Sequence, residues 1–341
     1  MSHVANPLIG WTLDRADIRH VGRDLCRPEC ILAEYDGTLW SADARGGVMR
    51  IRADGGQTLL VDQQRAKSAL DAGQRPSLLE GTLPNGLAFA RNGDVLIANF
   101  GTDALEVMAR DGRTRVLQNS IDGVPLGKVN FVLRDSKDRV WLTVSTRTHP
   151  WSDAIRNDLA DGYIAVLDDK GLRIVADGFA FTNEIRFDAD ETYLYVAETT
   201  ANRVSRLRVG DDGSLSGREV YGPSDLGRGL IDGIAFDAHG NLWGAMIFAD
   251  RLIAITPEGK LLTLFDDGNV PAIERFEREF RAGGAVSFDT MSACGGTVAP
   301  WMASVTFGGP DLKTVYIGSL KGSTIPSFRS PVAGQPMVHW R

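Results

Sequence analysis

Six polar side chains stand at one place in a pattern that the chain repeats: Glu29, Asn85, Asn130, Asn183, Asp232 and Ser304. Each begins or immediately precedes a short apolar run, as in Asn85-Gly-Leu-Ala-Phe and Asp232-Gly-Ile-Ala-Phe. All six carry oxygen. Oxygen donors arriving from several directions are the ligand chemistry of a hard cation, Ca2+ ahead of Mg2+ or Mn2+. Glu29 and Asp232 would balance a divalent charge, and the asparagine carbonyls would add neutral ligands. No His or Cys shares these positions, which disfavours a dedicated zinc site. Singly, an Asn or Asp ahead of a strand is an ordinary turn residue. Glu29 is different, because glutamate turns the chain poorly and is costly if it faces an apolar channel unpaired.

The elements that must bring these six together are the repeats themselves. Each copy reads as a short apolar strand, a tight turn and a second strand. Glu29 leads through Asp36-Gly37 to Leu39-Trp40, and Asn85 through Asn92-Gly93 to Val95–Asn99. Asn130 leads through Ser136-Lys137-Asp138 to Val140–Val144, and Asn183 through Ala189-Asp190-Glu191 to Tyr193–Glu198. Asp232 leads through His239-Gly240-Asn241 to Leu242-Trp243, and Ser304 through Gly308-Gly309-Pro310 to Val315–Gly318. The copies recur at roughly 45 to 70 residues, a range that points to propeller blades. Third strands and hairpin turns follow, such as Val48–Ile51 before Asp54-Gly55, and Arg251–Ile255 before Pro257–Lys260 and a fourth strand, Leu261–Leu264. Four antiparallel strands in each of six copies predict an all-β, six-bladed β-propeller, with residues 1–341 forming one domain. The first strand of each blade lines the central channel, so equivalent positions form a circle at one height.

The chain has 341 residues, 43% of them hydrophobic, ample for a large core. Its net charge is −7 without a basic block, so nucleic acid is not the expected partner. No charged leader precedes an apolar core in the first twenty residues, and no apolar run approaches a membrane span, which predicts a cytoplasmic protein with no membrane partner. Three cysteines, Cys26, Cys30 and Cys294, are too few for a disulfide framework and read as reduced thiols. Two stretches interrupt the rhythm: residues 145–162 and residues 267–300, the latter with a helical pattern over Ala272–Arg281. Inserts of that length exceed hairpin needs, and the first is placed to cap one end of the ring. Trp40, Trp141 and Trp243 occupy matching places in second strands and are expected to fill space between blades.

From about Cys26 to Gly318 the layout resembles the regucalcin/gluconolactonase family, also called luciferin-regenerating-enzyme-like proteins. The residues that carry the resemblance are Glu29 in Arg-Pro-Glu, Asn130 in Val-Asn-Phe, Asn183 in Thr-Asn-Glu and Asp232 in Ile-Asp-Gly-Ile-Ala-Phe-Asp-Ala-His-Gly-Asn-Leu-Trp. The resemblance implies a propeller with one divalent cation on its axis, held by Glu29, Asn183, Asp232 and Asn130. That cation is Ca2+ first, with Mg2+, Mn2+ or Zn2+ as other occupants. It also implies metal-dependent hydrolysis of a small-molecule lactone of a sugar or hydroxy acid, with Asp232 as general base or nucleophile. Three positions depart from the family pattern: Phe131 follows Asn130 in place of Asp, Glu184 follows Asn183 in place of Gly, and Lys128 replaces an Arg two residues before Asn130.

Substrate would meet Asn130, Asn85 and Lys128 from the ring, and Arg147, His149 and Trp151 from the first insert. Two other classes fit the same pattern. One is a binding scaffold with a structural cation. The other is a strictosidine-synthase-like enzyme, which would use a channel Glu as its base.

Overall fold

A computed structural model describes residues 5–62, 78 and 81–340. Six four-stranded antiparallel sheets surround a channel. The first four strands of blade I are Ile31–Ala33, Leu39–Asp43, Gly47–Ile51 and Gln57–Val61, and each later blade repeats the meander. The inner strands are Ile31–Ala33, Pro84–Phe89, Val129–Arg134, Thr182–Phe187, Leu230–Phe236 and Met302–Gly308, and neighbouring inner strands touch around the ring. The expected six-bladed propeller is therefore the fold.

Blade VI departs from the plain repeat. Three of its strands, Met302–Gly308, Thr314–Ser319 and Ile325–Arg329, come from the end of the chain. The fourth is Arg19–Val21, paired antiparallel with Ile325–Ser327. The segment near the N-terminus thus supplies the outer strand of blade VI and ties the two ends of the described chain into one sheet. The sequence reading did not find this strand, since Arg-His-Val shows no alternation to find.

Packing between blades follows a two-blade rhythm. Trp40, Trp141 and Trp243 are buried in blades I, III and V. Each meets, edge to face, the phenylalanine ending the next blade's inner strand: Phe89 at 6.1 Å, Phe187 at 5.5 Å and Phe307 at 5.3 Å. Each indole N–H donates to an acid six residues upstream, Glu34 (2.6 Å), Asp135 (2.9 Å) and Asp237 (2.9 Å), at the start of the intervening turn. One tryptophan thus fixes both a turn and an interface, as its position suggested.

The second insert holds two helices, α1 (Val270–Arg281) and α2 (Phe288–Ala293), where the sequence predicted one beginning at Ala272. Pro271 in the first turn of α1 explains the earlier start, because proline is tolerated there. Ser287 caps α2 by accepting the N–H of Thr290 at 3.3 Å. Gln335–Trp340 lies across the channel end formed by the last residues of the inner strands. There Gln335 Nε2 donates to the Phe187 carbonyl at 3.1 Å, and a His339 ring nitrogen meets the Ala33 carbonyl at 3.0 Å. All three cysteines are free, and no helix among the described residues is long and apolar enough to cross a membrane.

Trp141→Ala is expected to lose about 3–5 kcal/mol of stability through the cavity it leaves. Trp141→Phe should lose less, both read as shifts in the midpoint of denaturant unfolding. Equal stability of Trp141→Ala and the parent would refute the interface role.

Candidate active site

The polar ring owes its geometry to a repeated defect. Pairing between the inner and second strands slips between Pro84 and Leu87, Val129 and Phe131, Thr182 and Ile185, Ile231 and Ile234, and Met302 and Ser304. The residues inside these slips are Asn85, Asn130, Asn183, Asp232 and Ala303. A bulge re-aims a side chain that regular pairing would send into the blade. Glu29 stands just ahead of the inner strand of blade I. The sixth equivalent position is thus Ala303. Ser304, the expected sixth member, pairs regularly with Gly318 and donates its hydroxyl to the Glu29 carbonyl.

The bulges free backbone N–H groups, and side chains collect them. Leu87 N–H donates to Cys30 Sγ (3.3 Å), Phe131 N–H to Thr143 Oγ1 (3.1 Å) and Ile234 N–H to a Glu184 carboxylate oxygen (3.2 Å). Gly86 and Gly233 follow Asn85 and Asp232 where blades come closest. A Cβ there would stand 2.6 Å from Phe131 Cα and 2.4 Å from the Ala303 carbonyl oxygen, respectively.

Glu29, Asn85, Asn130, Asn183, Asp232 and Arg27 line one cavity. All six are buried. Arg27 donates to the Pro84 carbonyl (2.9 Å) and to Asn85 Oδ1 (2.5 Å). Asn85 Nδ2 in turn donates to Glu29 Oε1 (3.2 Å) and the Asn130 carbonyl (3.1 Å). Asn85 therefore braces Glu29, its own oxygen already engaged. Asn183 donates its amide to Thr199 Oγ1 at 3.1 Å.

Three buried oxygens of this set, Glu29 Oε2, Asn130 Oδ1 and Asn183 Oδ1, have no hydrogen-bond partner among the described residues. The two amide oxygens can only accept, as can Glu29 Oε2 when ionised, and unmet buried acceptors are expensive. A cation answers all three at once, so the donor set fits a hard divalent ion. The described residues hold no cluster of three or more His, Cys, Asp or Glu side chains; two carboxylates and two amides make the set.

Electrostatics point the same way. Burial pushes the Glu29 carboxyl up to about 8, against the opposing pull of Arg27. Burial, then the charges of Glu29 and Glu184, holds Asp232 well above the usual carboxylate range. Glu184 lies below the ring, pushed by burial up to about 7 despite Arg186, whose Nη2 is 2.8 Å from its carboxylate.

Above this polar floor the wall is apolar. Phe100, Trp151, Ile155, Phe181, Phe248 and Trp301 line the cavity, all buried. Phe181, Phe248 and Trp301 take positive φ angles of 55°, 69° and 59°, and Arg27 takes 56°. Left-handed backbone disfavours bulky side chains by roughly 1–2 kcal/mol each, so their surroundings hold them there. The second insert supplies part of that hold. Phe276 of α1 packs on Phe248 with ring centroids 4.6 Å apart. Trp301 donates its indole N–H to the Met291 and Cys294 carbonyls. The sequence reading missed Arg27, Phe181, Phe248 and Trp301. A spacing signal existed for three of them: Arg27, Phe181 and Trp301 stand two residues ahead of Glu29, Asn183 and Ala303.

Of the predicted substrate groups, Asn85, Asn130 and Trp151 line the cavity, whereas Lys128, Arg147 and His149 stand outside its wall. Lys128 places its ammonium 2.9 Å from Asp103 and donates to the Phe100 carbonyl at 3.3 Å. Arg147 is exposed and lies over the Tyr163 ring at 4.5 Å. His149 faces solvent with Nε2 3.4 Å from Asp103. Asp103 faces both Lys128 and His149 outside the cavity wall.

A profile of the SMP-30/Gluconolactonase/LRE-like region matches residues 27–272. The chain belongs to this family. Among curated relatives, this SMP-30/gluconolactonase/LRE-like chain is 27% identical over 168 residues to the pentonolactonase XacC of Haloferax volcanii, covering 49% of this chain and 47% of that one. It is 25% identical over 148 residues to the 6-deoxy-6-sulfogluconolactonase of Pseudomonas putida, covering 43% and 40%. The alignments thus span less than half the length of these relatives. In shape it matches a calcium-binding regucalcin from Agrobacterium tumefaciens with a TM-score of 0.65 at 16% identity, covering 94% and 98% of the two chains.

Raised carboxyl pKa values mean that the folded state binds more protons than the unfolded chain between the ordinary carboxylate range and about 8. Without a cation, stability should therefore fall as pH rises through that window. Thermal unfolding in chelator is expected to shift to lower temperature from pH 5 to pH 8, and added Ca2+ to reverse most of the shift. A pH-independent transition in chelator would contradict the assignment.

Proposed function

We propose that this family member is a divalent-cation-dependent hydrolase that opens a lactone or closely related ester. The observation that carries the reading is the set of three partnerless buried oxygens, from Glu29, Asn130 and Asn183, in one cavity with Asp232. Family membership supports the reaction class, and relatives named as lactonases support the bond attacked. A regucalcin described as calcium-binding supports Ca2+ as first choice.

Glu29, Asn130, Asn183 and Asp232 would hold the ion. Bound there, a divalent cation polarises the ester carbonyl and offsets the negative charge that grows on its oxygen. Asp232 has two oxygens, of which one suffices as ligand; the other takes a proton from the attacking water. Asn85, locked between Arg27 and Glu29, keeps the Glu29 carboxylate in one orientation. Arg27 adds a fixed positive charge beside two carboxylates, which limits their mutual repulsion. The aromatic wall keeps bulk water from the floor and so strengthens every charge interaction there.

Asp232→Asn is expected to lower kcat by about 100-fold or more, the usual scale for a general base, while calorimetry still shows one Ca2+ bound. Glu29→Gln should weaken Ca2+ binding itself. Full hydrolysis by Asp232→Asn with metal bound would reject the role of Asp232. Full hydrolysis after exhaustive chelation would reject the cation dependence.

A further inference from the structure

We infer that the substrate of this site is a lactone or ester with an apolar alkyl or aryl body, not a polyhydroxylated sugar lactone. The inference rests on the hydrolase reading and narrows it to a substrate class. Its basis is a sharp division within the cavity. Among the described residues, every polar side chain that lines it lies on the floor or beside it: Arg27, Glu29, Asn85, Asn130, Asn183 and Asp232, together with Thr199. That end recognises one carbonyl and one attacking water. The rest of the wall is aromatic and aliphatic.

A sugar lactone would set several hydroxyl groups against that wall, and each needs a hydrogen-bond partner when water is removed. The aromatic and aliphatic side chains described in that wall have none free to give. The Trp151 indole N–H already donates to the Leu78 carbonyl at 3.3 Å. The Trp301 indole N–H is turned away from the cavity to the Met291 and Cys294 carbonyls at 3.2 and 3.1 Å. The Thr199 hydroxyl oxygen accepts the Asn183 amide N–H, which leaves one O–H beside the floor and none on the aromatic wall. Lys128 and Arg147, the cations that the sequence pattern placed against substrate, are held by Asp103 and the Tyr163 ring.

The backbone adds an independent observation. Three wall aromatics, Phe181, Phe248 and Trp301, hold left-handed conformations that glycine or asparagine would adopt with less strain. Strain kept at bulky rings around one cavity marks those rings as parts of the site. The wall is also built from separate sources. Phe100 follows the second strand of blade II, Trp151 and Ile155 come from the first insert, and α1 backs Phe248. Loops of unrelated sequence thus converge on the same apolar chemistry.

The test compares γ-nonanolactone with D-glucono-δ-lactone on the full-length protein with saturating Ca2+, in a pH-stat. The expected result is a kcat/KM about 100-fold or more higher for γ-nonanolactone, the scale on which an apolar pocket discriminates over several methylenes. A sugar lactone hydrolysed as well or better would overturn the inference and leave the hydrolase reading standing. If neither turns over, the hydrolase reading fails, and thermal shifts with each lactone still decide the substrate class. Stabilisation by γ-nonanolactone alone supports it, and stabilisation by the sugar lactone or by neither overturns it. Phe181→Asn removes a wall ring while suiting the left-handed backbone. It should lower kcat/KM for γ-nonanolactone by about 10-fold and leave the sugar lactone nearly unchanged. An equal loss for both would count against the wall as the specificity element.

Discussion

Buried carboxylate and amide oxygens crowd into one cavity on the propeller axis, and the described residues supply too few donors for them. Around this constraint the inner part of the molecule is arranged. Inner strands give up regular pairing at five of six blades, and the N–H groups released there are collected by Cys30, Thr143 and Glu184. Arg27 adopts a left-handed backbone to bring a guanidinium to Asn85. Two glycines let adjacent blades close to a spacing that no side chain would permit. None of these features improves a propeller as a propeller. Together they keep the oxygens of Glu29, Asn130 and Asn183 free of protein partners.

Much of this was legible in the sequence, and the reason is repetition. One Asn-Gly before one strand is a turn; the same kind of residue in the same place in copy after copy is a circle. Five members of that circle, Glu29, Asn85, Asn130, Asn183 and Asp232, line the cavity as the pattern required. Ser304 misled because the equivalent position, four residues before Phe307 as Asn85 is before Phe89 and Asp232 before Phe236, is Ala303, an alanine that carries no chemical signal. Arg19–Val21 could not be read because three residues show no periodicity and their partner strand is remote. Of the aromatic wall Trp151 was anticipated, whereas Phe181, Phe248 and Trp301 escaped for a third reason: they sit in loops, where side-chain direction depends on backbone angles that composition does not encode. Arg147 and His149 looked chemically apt, but Tyr163 and Asp103 hold them at the rim.

Floor and wall also differ in how they are built. The floor is made of strand residues repeated around a pseudo-symmetric ring, so its geometry is set by the fold. The wall comes from inserts and interblade loops, braced by the α1 helix and by Asp250, which accepts the N–H groups of Trp301 (3.2 Å) and Met302 (2.8 Å). Such a division lets the reacting end stay constant while the surrounding surface changes. The Trp–Phe contacts between blades lie farther along the channel, so floor geometry and blade packing are maintained by separate sets of residues.

The strand that completes blade VI also governs how the molecule is born. Val21 pairs with Ile325, so the segment leaves the ribosome about 300 residues before its partner. At roughly 5–20 residues per second, this leaves it unmatched for on the order of 15–60 seconds. Blades I to V can assemble in order of synthesis during that interval, but as an open arc with two unsealed flanks. The brevity and polarity of Arg19-His20-Val21 then become useful: a three-residue ribbon bearing two basic side chains is a poor template for a neighbouring nascent chain.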